Sequence, residues 1–83
     1  MVREDIFNKI KIILSTQLSV EICKIEETSA LVIDLGADSL DLAEIAMLIE
    51  EQFGHRISDM DISKIKVVKD IIDYLEERLE VKK

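Results

Sequence analysis

Three stretches of the chain repeat their apolar residues at helical spacing, and this limits the possible folds more than any other feature. Ile6, Phe7, Ile10, Ile13, Leu14 and Leu18 share one face of a helix over residues 3–18. Leu42, Ile45, Ala46, Ile49 and Phe53 do the same over 39–53, and Val68, Ile71, Ile72, Leu75 and Leu79 over 67–79. The chain has 2 Gly, no Pro and few of the aromatic residues that favour strands. Its 83 residues suit one small domain, spanning 1–83, with no room for a large enclosed active site. A domain of this size buries only about 60–65% of its unfolded surface, so every apolar residue that reaches the core matters.

Local signals mark the ends of these elements. Gly54 directly follows Phe53, where a left-handed C-terminal cap would sit. Ser58, with Asp61 three residues on, predicts the start of a short helical turn over 58–63. Lys9 and Lys11 flank the first apolar face and can cover its edges, while Ile12 falls on the far side. Val81 to Lys83 are expected to fray. Residues 19–38 show no helix of their own. Ile22, Ile25, Leu31, Val32, Ile33 and Leu35 are nevertheless too apolar for a free linker, so this long loop is expected to wrap the bundle and pack down. The predicted class is all-α: four helices, one of them short, with a long loop between the first and second.

Charge narrows the function. The net charge is -7, and it is uneven: residues 25–55 contain eight acids and no Lys or Arg, while the remainder carries 10 acids and 11 bases. Such a chain repels nucleic-acid phosphates and anionic membranes. No apolar run approaches the ~20 residues of a spanning helix. The charged first residues lead straight into an amphipathic pattern, so no signal peptide is expected. Cys23 is the only cysteine, which excludes an internal disulfide and, with the rest, suggests a cytoplasmic protein.

The residues offer little to an enzyme. Ser39 lacks the Gly-x-Ser-x-Gly elbow, and the only histidine, His55, lies beyond the far end of the same helix, roughly 24 Å away at 1.5 Å per residue. His55 reads as a solvated residue. One His and one Cys do not make a metal cluster, and a calcium-loop reading from Asp59 and Asp61 fails because Lys64 occupies the glycine position. The segment from Asp34 to Asp41 is more suggestive. Gly36 allows a tight turn, and Ser39 begins the acidic helix. On the residues alone, Asp38 or Ser39 is best read as a helix cap. The alternative is a hydroxyl carrying a covalently attached phosphate beside the helix N-terminus. Along the same helix Leu40, Ala43 and Met47 lie off the core stripe among Asp41, Glu44, Glu50 and Glu51. They make either a solvated face or a docking strip for a basic partner.

The run Leu35, Gly36, Ala37, Asp38, Ser39, Leu40, Asp41, at the start of an acidic helix, resembles the acyl carrier proteins of dissociated bacterial fatty-acid synthesis. The resemblance continues through Glu50, Glu51, Gln52 and Phe53, then Ile57, Asp59, Lys64, Ile65 and Asp73 to Leu75, and covers roughly residues 3–79. It implies a carrier that is not itself an enzyme. Ser39 would bear 4'-phosphopantetheine, attached by a separate phosphopantetheinyl transferase, with Asp38 as the motif acid beside it. Growing fatty acyl chains would be held as thioesters on that arm. Leu40, Asp41, Ala43, Glu44, Met47, Glu50 and Glu51 would meet fatty-acid synthesis enzymes through their basic surfaces, and Ile57 and Ile65 would line the acyl cavity. A monomer is the default for the family. Ser58 stands where that family has proline, Ser19 where Gly is common, and Lys66 where Thr is frequent. Two other readings stay open: a carrier for polyketide, nonribosomal peptide or D-alanine transfer, and an unmodified acidic helical interaction module.

Overall fold

The computed structural model describes residues 2–80, apart from the side chains of Asp59 and Glu80; the fraying expected at Val81 to Lys83 lies outside the described residues. Four helices follow one another: α1 (Arg3–Leu18), α2 (Ser39–Phe53), the short α3 (Asp59–Ser63) and α4 (Val68–Glu80). A single 3-10 turn, Ile22–Lys24, interrupts the long loop. Each helix boundary lies within one residue of that read from the sequence, and among the described residues there is no strand.

The three predicted stripes form one core. Ile6, Ile10, Ile13 and Leu14 from α1 meet Ile45, Ala46 and Ile49 from α2 and Val68, Ile71, Ile72 and Leu75 from α4, all buried. Phe7, Leu18, Leu42, Phe53 and Leu79 close its edges, half-buried. Lys11 lays its amine 4.5 Å from the Phe7 ring centre, covering that edge as a long cationic side chain can. Ile12 is exposed on the opposite face.

The long loop packs down only in part. Ile25, Leu31, Leu35 and Ala37 are buried, but Ile22, Val32 and Ile33 face solvent, Ile33 with 86% of its surface exposed. For Val32 and Ile33 the cause is a compact turn over residues 30–37. Ala30 carbonyl accepts from the amides of Asp34 and Leu35, and the Ala37 amide donates to Leu31 carbonyl at 2.9 Å. Gly36 makes the reversal with φ +77°, a conformation strained for other residues. The turn points Leu31 and Leu35 inward and leaves the three residues between them, Val32, Ile33 and Asp34, outside.

Backbone hydrogen bonds stitch this loop to the start of α4. Leu31 amide donates to Lys66 carbonyl, Val68 amide to Ser29 carbonyl and Lys69 amide to Glu27 carbonyl, at 2.8–3.0 Å. Asp70 accepts from the amides of Lys66 and Val67, so donors at the entry to α4 find a partner although Val67, just before the helix, has no side-chain acceptor. Arg3 adds a clamp, bonding Asp73 at 2.7 Å, Glu76 at 2.9 Å and Glu27 at 3.0 Å. These carboxylates, Asp73 first, hold the guanidinium firmly protonated. Lys69, and then Arg3, hold the Asp73 carboxyl below its usual range.

Ser19 ends α1 in the left-handed region, with φ 58° and ψ 40°. A side chain there carries a steric cost of roughly 1–2 kcal/mol that glycine avoids. Ser19→Gly is therefore expected to raise stability by about 0.5–1 kcal/mol. Urea unfolding at constant slope would record it as a higher midpoint.

Candidate functional site

The start of α2 is built from its own sequence. Asp38 stands at the N-cap in extended conformation, and its carboxylate accepts the Asp41 amide at 2.8 Å. Asp41 returns the bond, accepting the Asp38 amide at 3.2 Å. This reciprocal capping box satisfies two helix-end donors and places both carboxylates at the positive end of the helix dipole. Asp38 is thus the cap that the residues allowed, which leaves Ser39 free of that task. Ser39 is the first helical residue and is exposed. Gly36 and the buried Ala37 lead the chain to it from the compact turn.

The face of α2 behind Ser39 is outward. Leu40 is 66% exposed and Met47 59%, and Ala43, Glu44 and Glu51 are exposed beside them. With a spacing of three or four residues, these five form one strip. Glu44 also accepts a hydrogen bond from the Gln17 amide group of α1. Glu50 is placed differently. It is half-buried, and its carboxylate accepts the Ile57 amide at 2.9 Å, bracing the turn after Gly54. Gly54 itself is left-handed, at φ 68°, and closes the helix onto Glu50 carbonyl.

Between α2, α3 and the compact turn runs an apolar groove. Its outer part, about 360 Å³, is lined by Ala30, Val32, Ile33, Leu42, Ile62, Ser63, Ile65 and Lys66. A neighbouring recess of about 240 Å³ includes Ser39, with Leu42, Ala43, Ile62 and Ser63. Behind both lies a cavity of only about 10 Å³ walled by aliphatic side chains, Ile57 and Ile65 among them. Leu42 and Ile62 belong to all three spaces. Ile57 is buried and Ile65 half-buried, each with its side chain on the core. Sequence reading missed Ile62, Val32 and Ile33 as groove residues. The helical spacing of Ile62 and Ile65 was the available signal for the first. Nothing local signalled the other two.

The remaining candidates do not join this site. His55 is half-buried rather than solvated, with its ring edge-on to Tyr74 at 6.3 Å. Cys23 is exposed, with its thiol 3.8 Å from Glu21. Among the described residues, no group of three or more His, Cys, Asp or Glu could hold a metal ion, and no helix is long and apolar enough to cross a membrane.

The parts suit a linear attached group. An exposed primary hydroxyl stands at a helix N-terminus, whose dipole favours a phosphodiester while the Asp38 and Asp41 carboxylates oppose it, so covalent attachment is what would hold one there. The adjoining recess and groove are mainly apolar, with Ser63 and Lys66 as polar points. Comparison with known proteins agrees. A family model described as a phosphopantetheine attachment site matches residues 8–75. The chain is similar to an acyl carrier protein of Thermotoga maritima, 46% identical over 77 residues, covering 93% of this chain and 95% of the relative. It is also similar to an acyl carrier protein of Coprothermobacter proteolyticus, 44% identical over 82 residues, covering 99% and 100%.

Proposed function

The chain belongs to the acyl carrier protein family, and on that premise we propose that it carries growing fatty acyl chains on a phosphopantetheine arm attached to Ser39 and presents them to the enzymes of fatty-acid synthesis. As a member it is a phosphopantetheine carrier and not an enzyme. The observation that carries the finer reading is the position of Ser39. Its side chain is exposed at the N-terminus of α2, beside an apolar groove that leads toward the core. The arm supplies a terminal thiol on which an acyl group is held as a thioester. Residues 1–83 act as one carrier domain, monomeric and in the cytoplasm.

The chain's own residues do three things in this account. Asp38 and Asp41 fix the first turn of α2 through their reciprocal bonds, so Ser39 is offered to the transferase in one geometry. The α2 strip guides encounter with basic partner surfaces. Leu40, Ala43 and Met47 supply apolar contact, and Glu44 and Glu51 supply the long-range attraction. The groove and core shelter the acyl chain at about 0.8 kcal/mol per buried CH2. The inner cavity, at about 10 Å³, has room for one water at most, so sheltering requires the helices to part at Leu42 and Ile62.

The pathway is tested by supplying the phosphopantetheine-bearing chain to fatty-acid synthesis enzymes and following its mass. Stepwise growth of a bound acyl chain is the expected result. Loading only by an amino-acid or D-alanine activating enzyme would overturn the assignment.

Charge reversal tests docking. Glu44→Lys and Glu51→Lys are each expected to slow association with a partner enzyme by roughly fivefold at low salt, with the difference shrinking as salt rises. Stopped-flow association rates measure this, and unchanged rates would make the strip merely solvated. Glu50→Lys should additionally lower stability, because the Ile57 amide loses its acceptor.

A further inference from the structure

The groove has one wall stitched in place and one that is lightly held. On the loop side, residues 27–31 are tied to residues 66–69 by backbone hydrogen bonds, and Arg3 clamps Glu27 to α4. On the other side stands α3, five residues long, whose backbone lies close to α2 and to no other helix among the described residues. It carries Ile62, which borders the serine recess, the outer groove and the core cavity together. If the core is to admit a chain, this is the wall with least to break.

Among the described residues, Asp61 makes the polar side-chain link from α3 to α4. Asp61 accepts a hydrogen bond from the Tyr74 hydroxyl at 2.9 Å, and Arg78 lies 3.8 Å from the same carboxylate oxygen. Arg78 also stacks its guanidinium 4.0 Å from the Tyr74 ring centre, which holds both partners in place. The Tyr74 hydroxyl further reaches Arg56 carbonyl at 3.4 Å, on the segment that leads into α3. Ser58 caps α3 through the Asp61 amide, so the backbone at Asp61 is fixed to the helix it must hold. Burial first, and then the Asp61 bond, push the Tyr74 hydroxyl above its usual range, which keeps it a donor.

We propose that Asp61, Tyr74 and Arg78 form a bolt that sets how often α3 swings away, and hence how fast a stored acyl chain passes between core and solvent. The inference rests on the carrier reading and goes beyond it by naming the side chains that restrain α3. Releasing the bolt breaks one charge-assisted hydrogen bond and one partly exposed ion pair, and lets the half-buried Ile62 lift off the core. Opening at Asp61 should therefore be frequent compared with global unfolding.

The test uses the full chain bearing phosphopantetheine charged with an octanoyl group, exposed to hydroxylamine. Hydroxylamine attacks the thioester carbonyl, forming the hydroxamate and releasing the thiol, and intact mass follows the loss. Folded wild type is expected to react more slowly than the same protein unfolded in urea. Tyr74→Phe keeps the ring and removes the bond; Asp61→Asn keeps the shape and removes the charge. Each is expected to speed cleavage roughly three- to tenfold in the folded state. Arg3→Gln, which weakens the clamp on the loop side, controls for general destabilisation and should speed cleavage far less per unit of stability lost. Rates within about twofold of wild type in both bolt variants would overturn the proposal, as would equal acceleration by Arg3→Gln. Equal cleavage of folded and unfolded wild type would instead remove the sheltering itself, and the bolt with it.

Discussion

Leu75→Ala is expected to cost about 3 kcal/mol and lower the melting temperature by roughly 15 °C. Leu75 is fully buried in α4, within the one cluster shared by α1, α2, α4 and the loop. Removing its branched end loses the transfer free energy of the missing carbons and leaves a void that rigid neighbours fill only partly. The whole chain, at ~0.05–0.15 kcal/mol per residue, has about 4–12 kcal/mol of stability, so a single truncation removes a large share. Ile33→Ser supplies the contrast. That residue is 86% exposed, and its change should stay within about 0.5 kcal/mol despite the greater chemical difference. Thermal unfolding of the two variants side by side measures both, and comparable losses would mean that the compact turn at 30–37 holds Ile33 inside rather than out.

That contrast also marks what could be read from the sequence. The helices α1, α2 and α4 were legible because each repeats its apolar residues with a 3.6-residue period, and the period says which face is inside. Ile12 outside and Ile10 inside follow from it directly. The caps were legible for the same local reason, since Gly54, Ser58 and Asp38 act on amides and carbonyls a few residues away. The loop has no period. Val32 and Ile33 look as apolar as Leu31 and Leu35, and only the turn closed by Ala30 and Gly36 separates them. The 3-10 turn at Ile22–Lys24 is too short to leave a pattern.

Bonds between distant residues were invisible for a different reason. Arg3 meets Asp73 and Glu76 across more than two-thirds of the chain, and Tyr74 meets Asp61 across the α3–α4 turn. Charged residues are plentiful here, so their identity alone does not select a partner. The run from Leu35 to Asp41 was the most informative part of the candidate site, because a hydroxyl, an acid and a turn glycine occur together at a helix start. What it could not convey is the division of labour. Asp38 takes the capping role with Asp41, and Ser39 beside it is left exposed.

This division makes Ser39→Ala a clean substitution, with a loss of function that should be complete. Position 39 is the first helical residue, where alanine is a good helix former, and the capping box does not use its hydroxyl. The variant should therefore fold as the wild type does while lacking the hydroxyl proposed to carry the arm. Both proteins are incubated with a phosphopantetheinyl transferase and coenzyme A, and their intact masses are recorded. The wild type is expected to gain the mass of one phosphopantetheine and Ser39→Ala to gain none; no gain on the wild type, or an equal gain on the variant, would contradict attachment at Ser39.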